Sequence, residues 1–62
     1  MMVTFYVLYD ARANMFARAG KGKGWTYTLN LAKHFTSTWS AENYRKTLPD
    51  SEGVMIKKIQ RY

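Results

Sequence analysis

The sequence predicts a small α+β domain, a three-stranded antiparallel sheet with two consecutive helices on one face, in the order β-β-α-α-β. Three observations lead there. The first is "VTFYVLY", residues 3–9, where β-branched and aromatic residues run almost without interruption and suit a pleated strand. The second is a change of period after "GKGKG": Leu29, Ala32 and Phe35 recur every third residue, as side chains on one helical face do. The third is "VMIKKIQRY", residues 54–62, which resumes strand character behind the turn-forming run "PDSEG".

In the first strand, Phe5, Val7 and Tyr9 alternate with Thr4, Tyr6 and Leu8, so apolar groups point both ways. A strand of that kind is central or covered on both sides. "DARAN" then offers Asp10 and Asn14 for a turn around Ala11 to Asn14, and Met15 to Arg18 pair back antiparallel. The glycines of residues 20–24 break regular structure. In "WTYTLNLAKHF" a short helix is entered through Thr28 or Asn30. Ser37 caps a second helix whose stripe is Ala41, Tyr44, Arg45 and Leu48, and Pro49 stops it. In the last strand Val54 and Ile56 share one face and Met55 takes the other. Ile59 falls out of step, which calls for a bulge near Lys57 and Lys58 or a departure from the sheet. The predicted core is Phe5, Val7, Phe16, Leu29, Ala32, Phe35, Ala41, Leu48, Val54 and Ile56.

A chain of 62 residues makes a single small domain, near the lower limit for one hydrophobic core, so pairing into a homodimer through an edge strand or the helix surface would help it. With no cysteine and one histidine, disulfides and thiolate or zinc centres are excluded, and neither metal nor cofactor is expected. The apolar run "FYVLY" is far too short to cross a bilayer, and no basic flank leads into a signal-type segment. The expectation is a soluble protein of a reducing, cytoplasmic interior with no membrane partner. An apolar content of 47% with 16% aromatic residues excludes disorder. Ten Lys and Arg against four Asp and Glu leave +6, a balance that attracts polyanions.

Trp25, Thr26, Leu29, Ala32, Phe35, Ser37 and Ala41 form the pattern W-T-x-x-L-x-x-A-x-x-F-x-S-x-x-x-A. From Phe5 to Ile59 the chain resembles a group of small phage and prophage proteins built from a hairpin, a short helix, a second helix and a last strand. The resemblance implies an accessory phage protein that binds and inhibits a host or defence protein in the cytoplasm of an infected or lysogenic cell. None of the pattern residues is catalytic. Packing alone accounts for the spacing: Ala32 permits close approach, Phe35 fills the space between helix and sheet, Ser37 caps, and Ala41 packs just inside the cap.

The "GKGKG" loop is not a phosphate loop of the nucleotide-binding kind, which ends in Lys followed at once by Ser or Thr; here Gly24 and Trp25 follow Lys23. "KGWTYT" is similar to the basic-aromatic opening of an RNA-recognition strand, but that strand comes after a helix and here it does not. The candidates for phosphate or nucleic-acid contact are Arg18, Lys21, Lys23, Arg45 and Lys46, joined near the end by Lys57, Lys58 and Arg61 in one patch or several. The candidates for a protein interface are Tyr6, Tyr9, Trp39, Tyr44 and Tyr62, large amphipathic rings in excess of what so thin a core encloses. His34 has no nucleophile and supporting acid signalled around it, and Asp10, Glu42, Asp50 and Glu52 are scattered among turns and a helix start, where Glu42 suits the helix dipole. The chain therefore reads as a non-enzymatic binding protein that inhibits a host or defence protein. The alternative is a basic nucleic-acid-binding protein, for instance DNA-binding, that uses the Gly-Lys loop and the helix cations.

Overall fold

The computed structural model describes residues 2–20, 24–49 and 51–62. Lys21 and Lys23, and with them the heart of the "GKGKG" loop, lie outside the described residues, as does Asp50. The described chain forms one four-stranded antiparallel sheet in the order β3-β2-β1-β4, with β1 at Val3–Asp10, β2 at Met15–Ala17, β3 at Trp25–Thr26 and β4 at Val54–Arg61. One α-helix, α1 at Thr38–Arg45, packs against β1 and β4. Short 3₁₀ turns lie at Leu29–Leu31 and Ser51–Gly53.

This corrects the predicted three-stranded sheet with two helices. Trp25 and Thr26 pair with Ala17 and Phe16 as a fourth strand, consistent with the strand preference of Trp, Tyr and Thr. The predicted first helix shrinks to the single turn Leu29–Leu31, after which the chain is extended. Ala32 bridges Arg18, and Phe35 bridges Tyr6 with two backbone hydrogen bonds of 2.8 Å. The three-residue spacing misleads because in extended chain an odd step reverses the side chain's direction. Ala32 accordingly packs with Phe5 and Val7 on one face of the sheet, while Phe35 packs with Leu8 and Ala41 on the other. A helix of so few residues, with Asn30 and His34 inside it, also lacks the propensity to offset nucleation.

The second predicted helix forms, one residue after its cap. Ser37 is extended, its Oγ accepts from the Ser40 N–H at 3.2 Å, and Ala41 is buried one turn later. Between β1 and β2 the turn Ala11–Asn14 closes with Asn14 in the left-handed region at φ 58°, a conformation Asn tolerates, and the Tyr9 hydroxyl donates to Asn14 Oδ1. Asp10 accepts from the Arg12 N–H at 2.9 Å and from its guanidinium at 3.2 Å. Gly53, at the head of β4, leaves the space that the Arg12 guanidinium occupies.

β4 runs unbroken opposite β1, from Asp10↔Val54 to Val3↔Arg61, so neither a bulge near Lys57 and Lys58 nor a departure of the last residues occurs. Ile59 keeps step because both faces of the sheet are apolar. Val54 and Ile56 join the helix-covered cluster of Leu8, Ala17, Phe35, Ala41 and Leu48, whereas Ile59 joins Phe5, Val7 and Ala32 on the opposite face, together with Phe16 and Leu29. Leu8 and Ala17, absent from the predicted core, are among its most buried residues, and the predicted Phe16, Leu29 and Ile56 are half-buried. Thr26 is buried as well, its Oγ1 accepting from the Thr28 N–H at 3.1 Å.

Candidate functional site

Strand alternation decides which side chains share the face that α1 leaves uncovered. On β1 these are Val3, Phe5, Val7 and Tyr9; opposite them on β4 stand Arg61, Ile59, Lys57 and Met55. Phe16 faces Tyr9 from β2, and Arg18, two residues on, keeps to the same side. His34 joins from the extended segment after the 3₁₀ turn, two residues beyond Ala32.

On this face rings and cations alternate at contact distance. The His34 imidazole stacks on Phe5, with centroids 4.0 Å apart and planes 25° from parallel. Arg61 reaches over the same Phe5 ring, its guanidinium carbon 5.2 Å from the centroid. Lys57 Nζ sits 4.3 Å from the centroid of Tyr9, whose ring tilts against Phe16 at 5.4 Å. Phe5 is buried beneath its two covers, Tyr9 and Phe16 are half-buried, and Arg18, His34, Lys57 and Arg61 are exposed. Asp10, the one carboxylate in the four strands, belongs by alternation to the other face and is engaged by Arg12. The hydrogen bond from Arg12 holds the Asp10 carboxyl below its ordinary range.

The predicted phosphate contacts therefore divide. Arg18 belongs to the ring-and-cation face with Lys57 and Arg61. Arg45 does not: its guanidinium grips Glu42 with bonds of 2.6 and 2.7 Å and donates to the Ser51 carbonyl at 2.7 Å, tying the end of α1 to the segment before β4. That grip lowers the pKa of Glu42 and raises that of Arg45. Lys46 is exposed at the C-cap of α1, away from the face, and Lys58 alternates to the helix side. On that side Lys33 Nζ stands 5.7 Å from the Phe35 ring and 5.4 Å from that of Tyr44.

The predicted protein-interface rings divide further. Tyr6 and Tyr44 edge the helix-covered core, Tyr44 tilted on Phe35 at 5.6 Å; both are packing residues. Tyr9 lies on the other face, Trp39 projects from α1 with 75% of its surface exposed, and Tyr62 is 96% exposed after β4. They make no common patch. Sequence reasoning passes over Phe16 and His34 as functional residues. The available signal is parity: Lys57, Ile59 and Arg61 recur every second residue in a strand, and so line up opposite Val7, Phe5 and Val3.

Among the described residues no three His, Cys, Asp or Glu gather as a metal site, and no helix is long and apolar enough to cross a membrane. Comparison with protein-family models, curated proteins and solved structures finds no match.

Proposed function

We propose that the chain is a non-enzymatic nucleic-acid-binding protein that takes a single strand along the ring-and-cation face of its sheet. One observation carries the reading: Lys57 over Tyr9, and Arg61 with His34 over Phe5, on a face to which the strands contribute no carboxylate. Rings offer stacking surfaces to unpaired bases, and cations beside them meet the phosphates between those bases. A lysine resting on a tyrosine can swing from the ring to a phosphate while a base takes its place. A duplex keeps its base faces inside the stack, out of reach of a sheet, so the expected ligand is single-stranded.

Fluorescence anisotropy with a labelled oligothymidine and a labelled duplex, each at two salt concentrations, tests this. The single strand is expected to bind more tightly, and the variant Lys57→Gln/Arg61→Gln is expected to flatten the salt dependence by roughly 0.7 for each phosphate that the protein ceases to neutralise. Equal affinity for the two ligands, or an unchanged slope in the variant, would remove the reading.

A second reading has its own observation, the exposed indole of Trp39. Trp is a frequent anchor of protein interfaces, and this one suits the inhibition of a host or defence protein that the resemblance to phage accessory proteins implies. It gains ground if oligothymidine binding is absent and Trp39→Ala abolishes inhibition of such a protein.

A further inference from the structure

We infer a second binding site on the outer edge of β4, where an extended acidic segment of a partner protein adds as a fifth strand. It goes beyond the nucleic-acid reading, which uses the face of the sheet: the two sites share Lys57 and Arg61, and the edge adds the outward backbone of β4 and Lys58. The backbone bonds between Tyr6 and Phe35 turn the polar groups of Tyr6 away from β4. In an antiparallel ladder its neighbours Phe5 and Val7 then point theirs toward β4, to Ile59 and Lys57. By the same alternation the N–H and C=O groups of Val54, Ile56, Lys58 and Gln60 point outward. Among the described residues no backbone pairs with that side: β4 ends the sheet order, and neither isolated bridge involves it.

An edge of eight residues carrying four outward amides is a template for strand addition. Its charge selects the occupant. Lys57 and Arg61 rise from β4 on one face, where they rest on Tyr9 and Phe5 and have the side-chain reach to turn outward to a carboxylate. Lys58 rises on the other, while Val54–Arg61 contains no carboxylate. A second copy pairing antiparallel would bring three cations from each strand together with nothing to oppose them, and like charges across a pair destabilise it. A segment with Asp or Glu on both of its faces turns the same cations into cross-strand partners. β-Branched residues between those carboxylates would pack beside Ile56 and Ile59.

The test uses the whole chain, isotope-labelled, with a capped peptide of Val, Thr and Glu as long as β4 and an N-methylated copy lacking alternate amide hydrogens. Hydrogen exchange is expected to slow at Val54, Ile56, Lys58 and Gln60 on adding the peptide, and to stay as it was at Lys57 and Ile59, already bonded to β1. The N-methylated copy is expected to bind at least about tenfold more weakly, since it keeps every charge and loses the ladder. Equal binding of the two peptides would overturn the inference in favour of charge alone. The same four amides slowing with concentration, without peptide, would overturn it in favour of a second copy, and slowing with oligothymidine in favour of nucleic acid. Lys58→Pro removes one outward N–H at a position where an edge strand accepts proline. Compared with Lys58→Gln, it is expected to abolish peptide binding while leaving oligothymidine binding the same, which separates failure at the edge from failure on the face.

Discussion

The two faces of the sheet use the same strands differently. Beneath α1, the cluster of Leu8, Ala17, Phe35, Ala41, Leu48 and Val54 is closed by a capped helix and by Tyr6, Trp25 and Tyr44 around its rim. On the other face Phe5, Val7 and Ala32 are closed by half-buried side chains, the turn at Leu29–Leu31 and polar covers that lie on aromatic rings. A helix is a permanent cover, because removing it exposes a whole apolar stripe at once. An imidazole or a lysine resting on a ring is a cover that a ligand can replace, since a stacked base buries the same ring. Both faces thus hold buried core, with Leu8 on one and Val7 on the other, but only the face without the helix has covers that the proposed ligand would displace.

Truncation should separate the two most strongly. Leu8, with no exposed surface, sits in the helix-covered cluster, and Leu8→Ala is expected to cost about 2–5 kcal/mol in denaturant unfolding. Phe16→Ala on the opposite face removes a half-buried ring and is expected to cost roughly 1–2 kcal/mol, while weakening oligothymidine binding. If Phe16→Ala destabilised as much as Leu8→Ala, the contrast between the faces would fall.

A smaller effect tests the helix as a cover. Ser37→Ala removes the acceptor for the Ser40 N–H and is expected to cost about 1 kcal/mol, with the salt dependence of oligothymidine binding unchanged. A loss of binding out of proportion to that cost would mean that α1 belongs to the recognition surface.

The smallest effect is electrostatic. The pKa values of Asp10 and Glu42 are lowered in the folded chain, chiefly by hydrogen bonds from Arg12 and Arg45. A depressed carboxyl stabilises the fold above its unfolded pKa, and that contribution disappears as pH falls through the folded value. Stability should thus be flat near neutrality and decline below the ordinary values of 4.5 for Glu and 3.8 for Asp. Glu42→Gln is expected to lower stability slightly at neutral pH and to leave it unchanged in acid, so that part of the acid-side decline disappears; 37% of the Glu42 side chain is exposed to solvent, so the effect is slight. Thermal melts across acid pH read it directly.

Much of the architecture is legible in individual residues. The doubly apolar run from Val3 to Tyr9 belongs to a central strand, Ser37 caps the helix it precedes, and the turn falls at Ala11 to Asn14. These are local signals, set by propensity, capping and turn chemistry within a few residues. The segment from Trp25 to Phe35 misleads because its apolar spacing fits a helix and an extended chain equally well. What decides it is distant in sequence: Arg18 and Tyr6 supply the backbone partners of Ala32 and Phe35. Of the candidate site, the sequence singles out Arg18 and Tyr9 for separate roles, and the structure brings them onto one face. Arg45, a candidate for phosphate, is engaged instead by Glu42 and Ser51.

By itself, then, the sequence determined the excess of positive charge, the absence of cysteine, the strand character of both ends and the capped helix, because these follow from composition and near neighbours. Only the tertiary structure decided that Trp25–Thr26 completes a fourth strand, that Ala32 and Phe35 serve opposite faces, and that His34, Lys57 and Arg61 rest on the rings of Phe5 and Tyr9. Those outcomes depend on backbone pairing between residues far apart in the chain, and pairing sets the register that gives each side chain its face.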